Sequence, residues 1–332
     1  MNALIIGAGP AGTSCAIQLL KAGIEVTILD KQHFPRSAPG ETLHPGIEPL
    51  LKELDIWKEI EGFSFKRHPG IITEFRDSAK LDLYNQEGCW EGFQFPRDTF
   101  DQLLLDQAIS LGAKFYSGSK ITDVTLSSIG IATVFTNSGS FNASFFIDAS
   151  GRNAVLPKKL GIRYKQQSTP LFVHFGYVES ENTHSFLTPR MIWDADGWIW
   201  VSRISEKLIS WNRLYPFNQK IAKNWLPECL QHLKPAGSHK AADVTWRIAE
   251  NVSRSNYFLI GDAAFTFDPA SSKGVLKAIM SGMMCGYLLG QLKLVKSDIK
   301  EIHAHYNTWM NDWFSNDLAN MKNMYAEKGF PI

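Results

Sequence analysis

The sequence predicts a mixed α/β protein in which a parallel-sheet domain carries an inserted antiparallel sheet. Three observations lead to this prediction. Residues 3–31 read as strand, glycine turn, helix and strand. Two later apolar runs each end in an acidic motif, "DASGR" at Asp148 and "GDAAFTFDP" at Asp262. Between these two motifs lies a long stretch of alternating and β-branched residues, which is typical of an antiparallel sheet.

Length and composition limit the class of protein. The 332 residues suffice for one large domain, or for two intimate ones, with a real hydrophobic core. The 34 Lys and Arg residues nearly balance the 33 Asp and Glu residues, which argues against a nucleic-acid partner held by bulk charge. The first apolar run is too short for a signal peptide or a membrane helix, and we expect no transmembrane segment.

The cysteines bear on metal binding and on location. Four cysteines occur without paired spacing, which argues against a disulfide framework and against a zinc site. We therefore predict no metal site, and the cysteine usage favours a reducing, cytoplasmic location. The four residues are Cys15, Cys89, Cys229 and Cys285.

The first motif is a dinucleotide-binding βαβ unit of the Rossmann type. Residues 3–6 read as a buried strand, 13–21 as a helix, and 24–29 as a second strand that an acid closes. Glycines in G-x-G-x-x-G spacing permit a tight turn and bring a pyrophosphate close to the helix N-terminus, while the acid accepts a hydrogen bond from a ribose hydroxyl. The predicted contacts are Gly7, Gly9, Pro10, Ala11 and Gly12 in the turn, and Asp30 and Lys31 after the second strand.

The rest of the chain continues this pattern. Residues 96–115 read as a helix, a Gly-Ala break and a strand. Residues 163–249 read as antiparallel strands, with Asp-Ala-Asp-Gly in "MIWDADGWIW" as a hairpin turn. Residues 301–332 read as a helix whose aromatic face carries Tyr306, Trp309 and Trp313.

Together, "GAGPAG", "PRDTFDQLLLDQAISLGAKF", "DASGR" and "LIGDAAFTFDP" resemble the FAD-dependent monooxygenases and flavin-dependent halogenases of the aromatic-hydroxylase fold. Geranylgeranyl-type reductases are similar in the same motifs. The resemblance extends from Met1 to about Leu289 and implies FAD as the cofactor. It also implies further cofactor contacts, namely Arg36, Glu41, Arg97, Ile121, Asp262, Gly274 and Val275.

The stretch "DPASSKGVLKAIMSG" is predicted to hold the redox end of the flavin. Ser271 or Ser272 would cap a helix whose positive end points at the negative charge on the pyrimidine ring of reduced flavin. Gly274 would let the backbone approach that ring, and the resemblance implies backbone N–H donors there and at Val275.

Four residues are predicted to take part in the chemistry. Pro269 precedes the helix, and Trp198 and Trp200 lie in "WIW", which resembles the "WxWxIP" stretch of halogenases. Here Ser202 and Arg203 replace its isoleucine and proline. Lys66 falls near the position of the lysine that halogenases use to handle hypohalous acid. The alternative for the tryptophans is that they form one face of a packed sheet.

The predicted architecture is an FAD-binding domain of residues 1–62, 95–165 and 246–300, a substrate domain of 63–94 and 166–245, and a C-terminal helix of 301–332. The resemblance implies that reduced FAD and O2 form a flavin C4a-hydroperoxide that hydroxylates an electron-rich aromatic. No second G-x-G-x-x-G is present in the sequence, so NAD(P)H would bind transiently or a partner reductase would supply electrons.

The substrate is left open between a small aromatic and a protein. "DPASSKGV" and "GWIW" are similar to flavoproteins that mature the tryptophylquinone-containing lysine and glycine oxidases. That similarity implies hydroxylation of a tryptophan in a partner protein, the precursor of such an oxidase. The alternatives are a halogenase of a small aromatic and an isoprenoid reductase.

Overall fold

A computed structural model describes residues 1–63, 65–182, 184–216, 221–222, 224–295, 297–330 and 332. The helices are α1 (Pro10–Lys21), α2 (Ile47–Glu53), α3 (Trp57–Glu61), α4 (Arg97–Ser110), α5 (Val155–Leu160), α6 (Gly274–Leu294) and α7 (Ile299–Glu327).

The strands of the first half of the chain all precede α5. They are β1 (Asn2–Ile6), β2 (Glu25–Leu29), β3 (Thr42–Leu43), β4 (Arg67–His68), β5 (Gly70–Phe75), β6 (Ser78–Leu83), β7 (Gly92–Gln94), β8 (Lys114–Tyr116), β9 (Ile121–Ser127), β10 (Gly130–Thr136), β11 (Gly139–Phe141) and β12 (Phe145–Asp148).

The strands of the second half precede α6. They are β13 (Tyr164–Gln166), β14 (Leu171–Glu179), β15 (Arg190–Asp194), β16 (Gly197–Arg203), β17 (Leu208–Pro216), β18 (Lys234–Pro235), β19 (Lys240–Asp243), β20 (Arg247–Ala249), β21 (Ser253–Arg254), β22 (Tyr257–Leu259) and β23 (Phe265–Thr266).

The predicted parallel sheet is confirmed. Its order is β21-β22-β12-β1-β2-β8, with β22, β12, β1, β2 and β8 parallel and β21 antiparallel at one edge. The apolar central strands are buried on both faces, as is typical of parallel strands covered by helices. α1 begins at Pro10 rather than at residue 13, since proline suits the first helical position.

The larger sheet contains the predicted antiparallel strands in the order β18-β14-β17-β16-β15-β5-β6, and β19 also pairs with β14. The β15–β16 hairpin turns at Ala195-Asp196, as predicted. β15 also pairs with β5, and this pair is parallel. The predicted domain segments include residues 64, 183, 217–220, 223, 296 and 331, which lie outside the described residues, and the division stays a prediction.

α6 packs closely on α1 through two glycines. A Cβ atom on Gly282 would lie 2.2 Å from the Ala11 carbonyl oxygen, and one on Gly286 would lie 2.6 Å from Gln18 Cβ. Among the described residues, α6 is the helix long and apolar enough to cross a membrane by length and composition. Core helices pass the same test, and α6 forms part of the core beside α1.

α7 lies where the sequence predicts a helix over residues 301–332, but it runs from Ile299 to Glu327, and it packs against both sheets. Tyr306 is fully buried, and Trp309 and Trp313 pack against the same core. Further along, Met321 and Tyr325 join a second core cluster with Trp193, Trp198, Trp200 and Trp246. The prediction that alternate tryptophans form one face of a packed sheet therefore describes this region.

The predicted serine cap of α6 is wrong. The helix begins at Gly274 after Lys273, without a side-chain cap. Ser272 has a φ of 52°, in the left-handed region, and follows a separate turn of 3-10 helix, Pro269–Ser271. Asp268 caps that turn instead, since its Oδ1 accepts a hydrogen bond from the Ala270 N–H at 2.8 Å.

Candidate cofactor and active site

A cavity of about 1360 Å³ opens at the carboxyl ends of the parallel strands, where open α/β sheets bind their ligands. Segments from the larger sheet also line it, including Val173, Trp200 and Asn212. Most of the predicted site residues line this cavity, namely Gly7, Gly9, Pro10, Ala11, Asp30, Lys31, Arg36, Glu41, Arg97, Ile121, Asp262, Pro269, Trp200, Gly274 and Val275.

The glycine turn leaves no room for side chains at two positions. Gly7 has a φ of 112°, and a Cβ there would lie 2.3 Å from the Ala149 carbonyl oxygen. Gly12 does not line the cavity, but its Cβ would lie 2.0 Å from the Gly7 carbonyl oxygen. The turn is therefore built from backbone alone and leaves the N-terminus of α1 open to a phosphate.

Asp30 is hydrogen-bonded to the backbone of the same turn. Its Oδ2 accepts a hydrogen bond from the Ala8 N–H at 2.8 Å, and its Oδ1 accepts one from the Gln32 N–H at 2.8 Å. The carboxylate is nearly buried and lines the cavity, where its remaining lone pairs can accept from hydroxyl groups.

Two arginines share one buried carboxylate beside the turn. Arg97 donates to both oxygens of Asp101, at 2.9 and 3.0 Å, and Arg36 lies 3.1 Å from Asp101 Oδ2. Arg97 also donates to the Pro39 carbonyl oxygen at 2.8 Å. Asp101 holds both guanidinium groups in place at the cavity wall, where arginines can bind a pyrophosphate through charge-assisted hydrogen bonds.

Glu41 is a buried acid in the cavity wall. Tyr177 donates to its Oε1 at 2.7 Å, and the Gly40 N–H donates to its Oε2 at 3.0 Å. Burial nevertheless raises the pKa of Glu41, although the hydrogen bond from Tyr177 and the charge of Arg97 oppose that rise. A Cβ atom on Gly40 would lie 3.2 Å from Arg97 Nη1 and 3.8 Å from Val275 Cγ2. The stretch 39–41 therefore lies between Arg97 and the start of α6.

The start of α6 presents free backbone donors to the cavity. Gly274 is the first residue of the helix, and a Cβ there would meet nothing within 4 Å. Without a side-chain cap, the first N–H groups can bind an anion or a ring carbonyl.

Asp268, next to Pro269, is fully buried at the cavity wall and is not among the predicted site residues. Its Oδ2 accepts from Trp246 Nε1 at 2.7 Å and from the Tyr325 hydroxyl at 2.9 Å. Burial raises the pKa of Asp268 to about 6, although these donors oppose the rise. The partners lie far apart in sequence, so no local pattern indicated this group.

Lys277 is a second cavity residue that is not among the predicted site residues. It lines the cavity from α6, its Nζ lies 2.6 Å from Asp317 Oδ2 on α7, and it stands 4.7 Å from the centre of the Phe267 ring. Burial lowers its pKa, while Asp317 opposes that change. In the sequence, a lysine within the apolar run "GVLKAIM" was the one sign that a charged side chain is buried here.

The structure does not bring Trp198 or Lys66 to the cavity. Trp198 is fully buried in the core, and its Nε1 donates to the Tyr325 hydroxyl at 2.7 Å. The side chain of Lys66 is exposed and does not line the cavity. Trp200, two residues after Trp198, does line it and donates to Ser202 Oγ at 3.3 Å.

These residues fit FAD, because the glycine turn, the paired arginines and the open end of α6 line one cavity. The family model described as "FAD binding domain" matches residues 1–292. The 1H-pyrrole-2-carbonyl-[peptidyl-carrier protein] chlorinase of Pseudomonas fluorescens is 29% identical over 94% of this chain and 82% of its own length. Tryptophan 2-halogenase of Chondromyces crocatus is 25% identical over 85% of this chain.

The solved structure of the myxobacterial chondrochloren halogenase CndH has the same fold, with a TM-score of 0.88 and 18% identity over 98% of this chain and 82% of that one. The chain spans 59% of the length of tryptophan 2-halogenase. FAD is the cofactor, and the protein is a flavoenzyme of the oxidoreductase type. The chain belongs to the FAD-binding-domain family, within the superfamily of flavin-dependent halogenases and aromatic hydroxylases.

Proposed function

We propose that the protein is a flavin-dependent halogenase of an electron-rich aromatic. The observation that carries this proposal is the likeness to the pyrrole-2-carbonyl chlorinase along nearly the whole of this chain. Ser202 and Arg203, which depart from the halogenase pattern, favour hydroxylation at the level of sequence. The named relatives are halogenases, which favours the alternative.

The uncapped start of α6 supports halide binding. The N–H groups of Lys273 and Gly274 precede any intrahelical partner, and Gly274 lines the cavity. A halide held there would lie on the wall where the pyrimidine edge of the flavin is predicted, at Gly274 and Val275. The positive end of the helix and the Lys273 side chain both favour an anion.

Bound FAD supplies the redox chemistry with O2, and the chain's own residues orient and shield it. Arg36 and Arg97, fixed by Asp101, would hold the pyrophosphate. Glu41, kept in place by Tyr177, would position a polar edge of the cofactor. The aromatic wall around Trp200 would exclude water from the reacting centre.

The test is a turnover experiment with bromide. FAD-loaded protein is supplied with NADH, a flavin reductase, O2, bromide and pyrrole-2-carboxamide. The products are analysed by mass spectrometry for the isotope pair of bromine. We expect a brominated product. A product that gains only oxygen would replace the proposal with the hydroxylase.

Lys66 is tested in the same assay. Lys66→Met is compared with Lys80→Met, which removes another exposed lysine, on β6. If Lys66 handles the halogenating species, its replacement abolishes bromination while Lys80→Met does not. Bromination that survives in Lys66→Met would end the role of Lys66 and leave the halogenase proposal standing.

The finer predictions remain proposals of lower rank. Hydroxylation of a tryptophan in a partner protein is tested by co-expressing that partner and measuring the mass of its tryptophan-containing peptide, which should increase by whole oxygen atoms. The supply of electrons by NAD(P)H or by a partner reductase, and a cytoplasmic location, rest on the sequence alone.

A further inference from the structure

The core behind the cavity holds one phenol, that of Tyr325, between an indole and a carboxylate. Trp198 Nε1 donates to the Tyr325 oxygen at 2.7 Å, and the Tyr325 hydroxyl donates to Asp268 Oδ2 at 2.9 Å. All three side chains are essentially inaccessible to solvent. The hydroxyl therefore has one fixed proton acceptor and one fixed proton donor.

This geometry is the one that oxidation of a buried phenol requires. A phenol that loses an electron becomes a strong acid, and a charged radical would be costly in an apolar core. A carboxylate at hydrogen-bond distance removes that cost by accepting the proton. The Trp198 N–H would then remain as a donor to the phenoxyl oxygen, together with the new O–H of Asp268.

Aromatic contacts connect Tyr325 to the cavity. The rings of Tyr325 and Trp246 are 5.4 Å apart between centroids, and Trp246 lies 5.7 Å from Phe267, which lines the cavity. Trp246 also donates to the same oxygen of Asp268 at 2.7 Å. Each step is a van der Waals contact between rings, which is short enough for electron transfer.

We propose that Tyr325 is a redox-active residue that supplies one electron, through Trp246, to a one-electron oxidant in the cavity. The oxidant is an oxygen-centred radical or a photoexcited flavin. The oxidant gains the electron, Tyr325 loses it, and the phenolic O–H bond breaks as its proton passes to Asp268. A neutral phenoxyl radical and a neutral carboxylic acid result. An external thiol reverses both changes: it gives up one electron, releases its S–H proton to solvent and becomes a thiyl radical, while the Asp268 proton returns to the phenoxyl oxygen. The proposal rests on FAD binding and not on halogenation.

The test is flash photolysis of the FAD-loaded protein without O2. Light makes the bound flavin a one-electron oxidant, and transient absorption then reports the radicals that form. We expect a long-lived neutral tyrosyl radical in the unaltered protein. Tyr325→Phe should abolish it, and Trp246→Phe should lower its yield at least tenfold. Tyr306→Phe, which removes another buried hydroxyl of α7, should leave it unchanged.

A second measurement, isotope labelling, uses the unaltered protein and so does not depend on whether a variant folds. Unaltered protein containing ring-deuterated tyrosine should show a narrowed electron paramagnetic resonance signal after illumination. Asp268→Asn should suppress the tyrosyl radical while a short-lived tryptophan radical persists. A tyrosyl signal of equal size in Tyr325→Phe, or a signal that deuterated tyrosine does not narrow, would overturn the proposal.

Discussion

Replacing Tyr325 by phenylalanine tests how strongly α7 holds the loop before α6. The variant removes the hydroxyl that donates to Asp268 and accepts from Trp198. A hydrogen bond to a charged group contributes about 1.5–3 kcal/mol, and a buried donor left unpaired costs about 1–3 kcal/mol. We therefore expect the free energy of unfolding to fall by about 3–5 kcal/mol at pH 8.

Tyr306→Phe is the matched control. Tyr306 is equally buried on the same helix, but its hydroxyl donates to a neutral group, the Leu259 carbonyl oxygen, at 2.8 Å. Its removal should cost about 1 kcal/mol. The measurement is urea unfolding followed by tryptophan fluorescence, with FAD at one saturating concentration.

The pH dependence gives the sharper result. Asp268 has a folded-state pKa raised from 3.8 to about 6, so its contribution to stability is full below pH 3.8 and is lost as the pH rises through 6. That loss is about 3 kcal/mol. The hydrogen bond from Tyr325 opposes this rise in pKa, so the pKa of Asp268 should be higher still in Tyr325→Phe, and the stability lost with rising pH should be larger. The free energy of unfolding should therefore fall by about 1 kcal/mol more at pH 8 than at pH 5 when Tyr325 is replaced. Equal penalties at both pH values, or equal penalties for Tyr325→Phe and Tyr306→Phe, would refute this account.

Three further predictions concern the cavity. Gly12→Val should abolish the yellow colour of bound FAD, because even a Cβ would lie 2.0 Å from the Gly7 carbonyl oxygen, and an FAD-loaded variant would contradict the fingerprint. Gly274→Ala should raise the stability of FAD-free protein by up to about 1 kcal/mol, since alanine favours helices and meets no atom there, yet should weaken FAD binding in a fluorescence titration. An unchanged affinity of Gly274→Ala for FAD would show that the flavin does not lie against the start of α6. Lys277→Met should cost about 3–5 kcal/mol by leaving Asp317 buried and unpaired, and adding Asp317→Leu should restore much of it, as urea unfolding of the single and double variants will show.

The sequence predicted what short-range rules determine. The turn around Gly7, the strands beside it and the hairpin after Asp194 depend on residues only a few positions apart, and the structure confirms them. The start of α6 was misjudged because Ser272 takes a left-handed backbone conformation, which sequence spacing does not reveal. The predicted cofactor contacts at Arg97 and Glu41 rest on the resemblance rather than on periodicity, and they stay predictions; the structure places both residues in the cavity wall.

Pairs distant in sequence could not be predicted. Asp268 meets Tyr325 across 57 residues, and Tyr177 meets Glu41 across 136. Such contacts depend on how sheets and helices pack, and a single sequence does not contain that information in a local pattern. The same limit applies to Trp198. The alternation of Trp198 and Trp200 along a strand is visible in the sequence, but the position of Trp198 in the core behind the cavity is not.

The close packing of α6 on α1 also concerns the order in which the protein is made. Ser14 in the nucleotide-binding unit donates to the Ile279 carbonyl oxygen, 265 residues later in the chain, and Gly282 closes on Ala11 beside it. The ribosome therefore releases the glycine turn long before the helix that completes its packing exists. During that interval the apolar face of α1 has no α6 to cover it, and such surfaces are bound by chaperones. FAD capture should accordingly be a late event of biogenesis, following synthesis of α6 even though the fingerprint that recognises the cofactor emerges first.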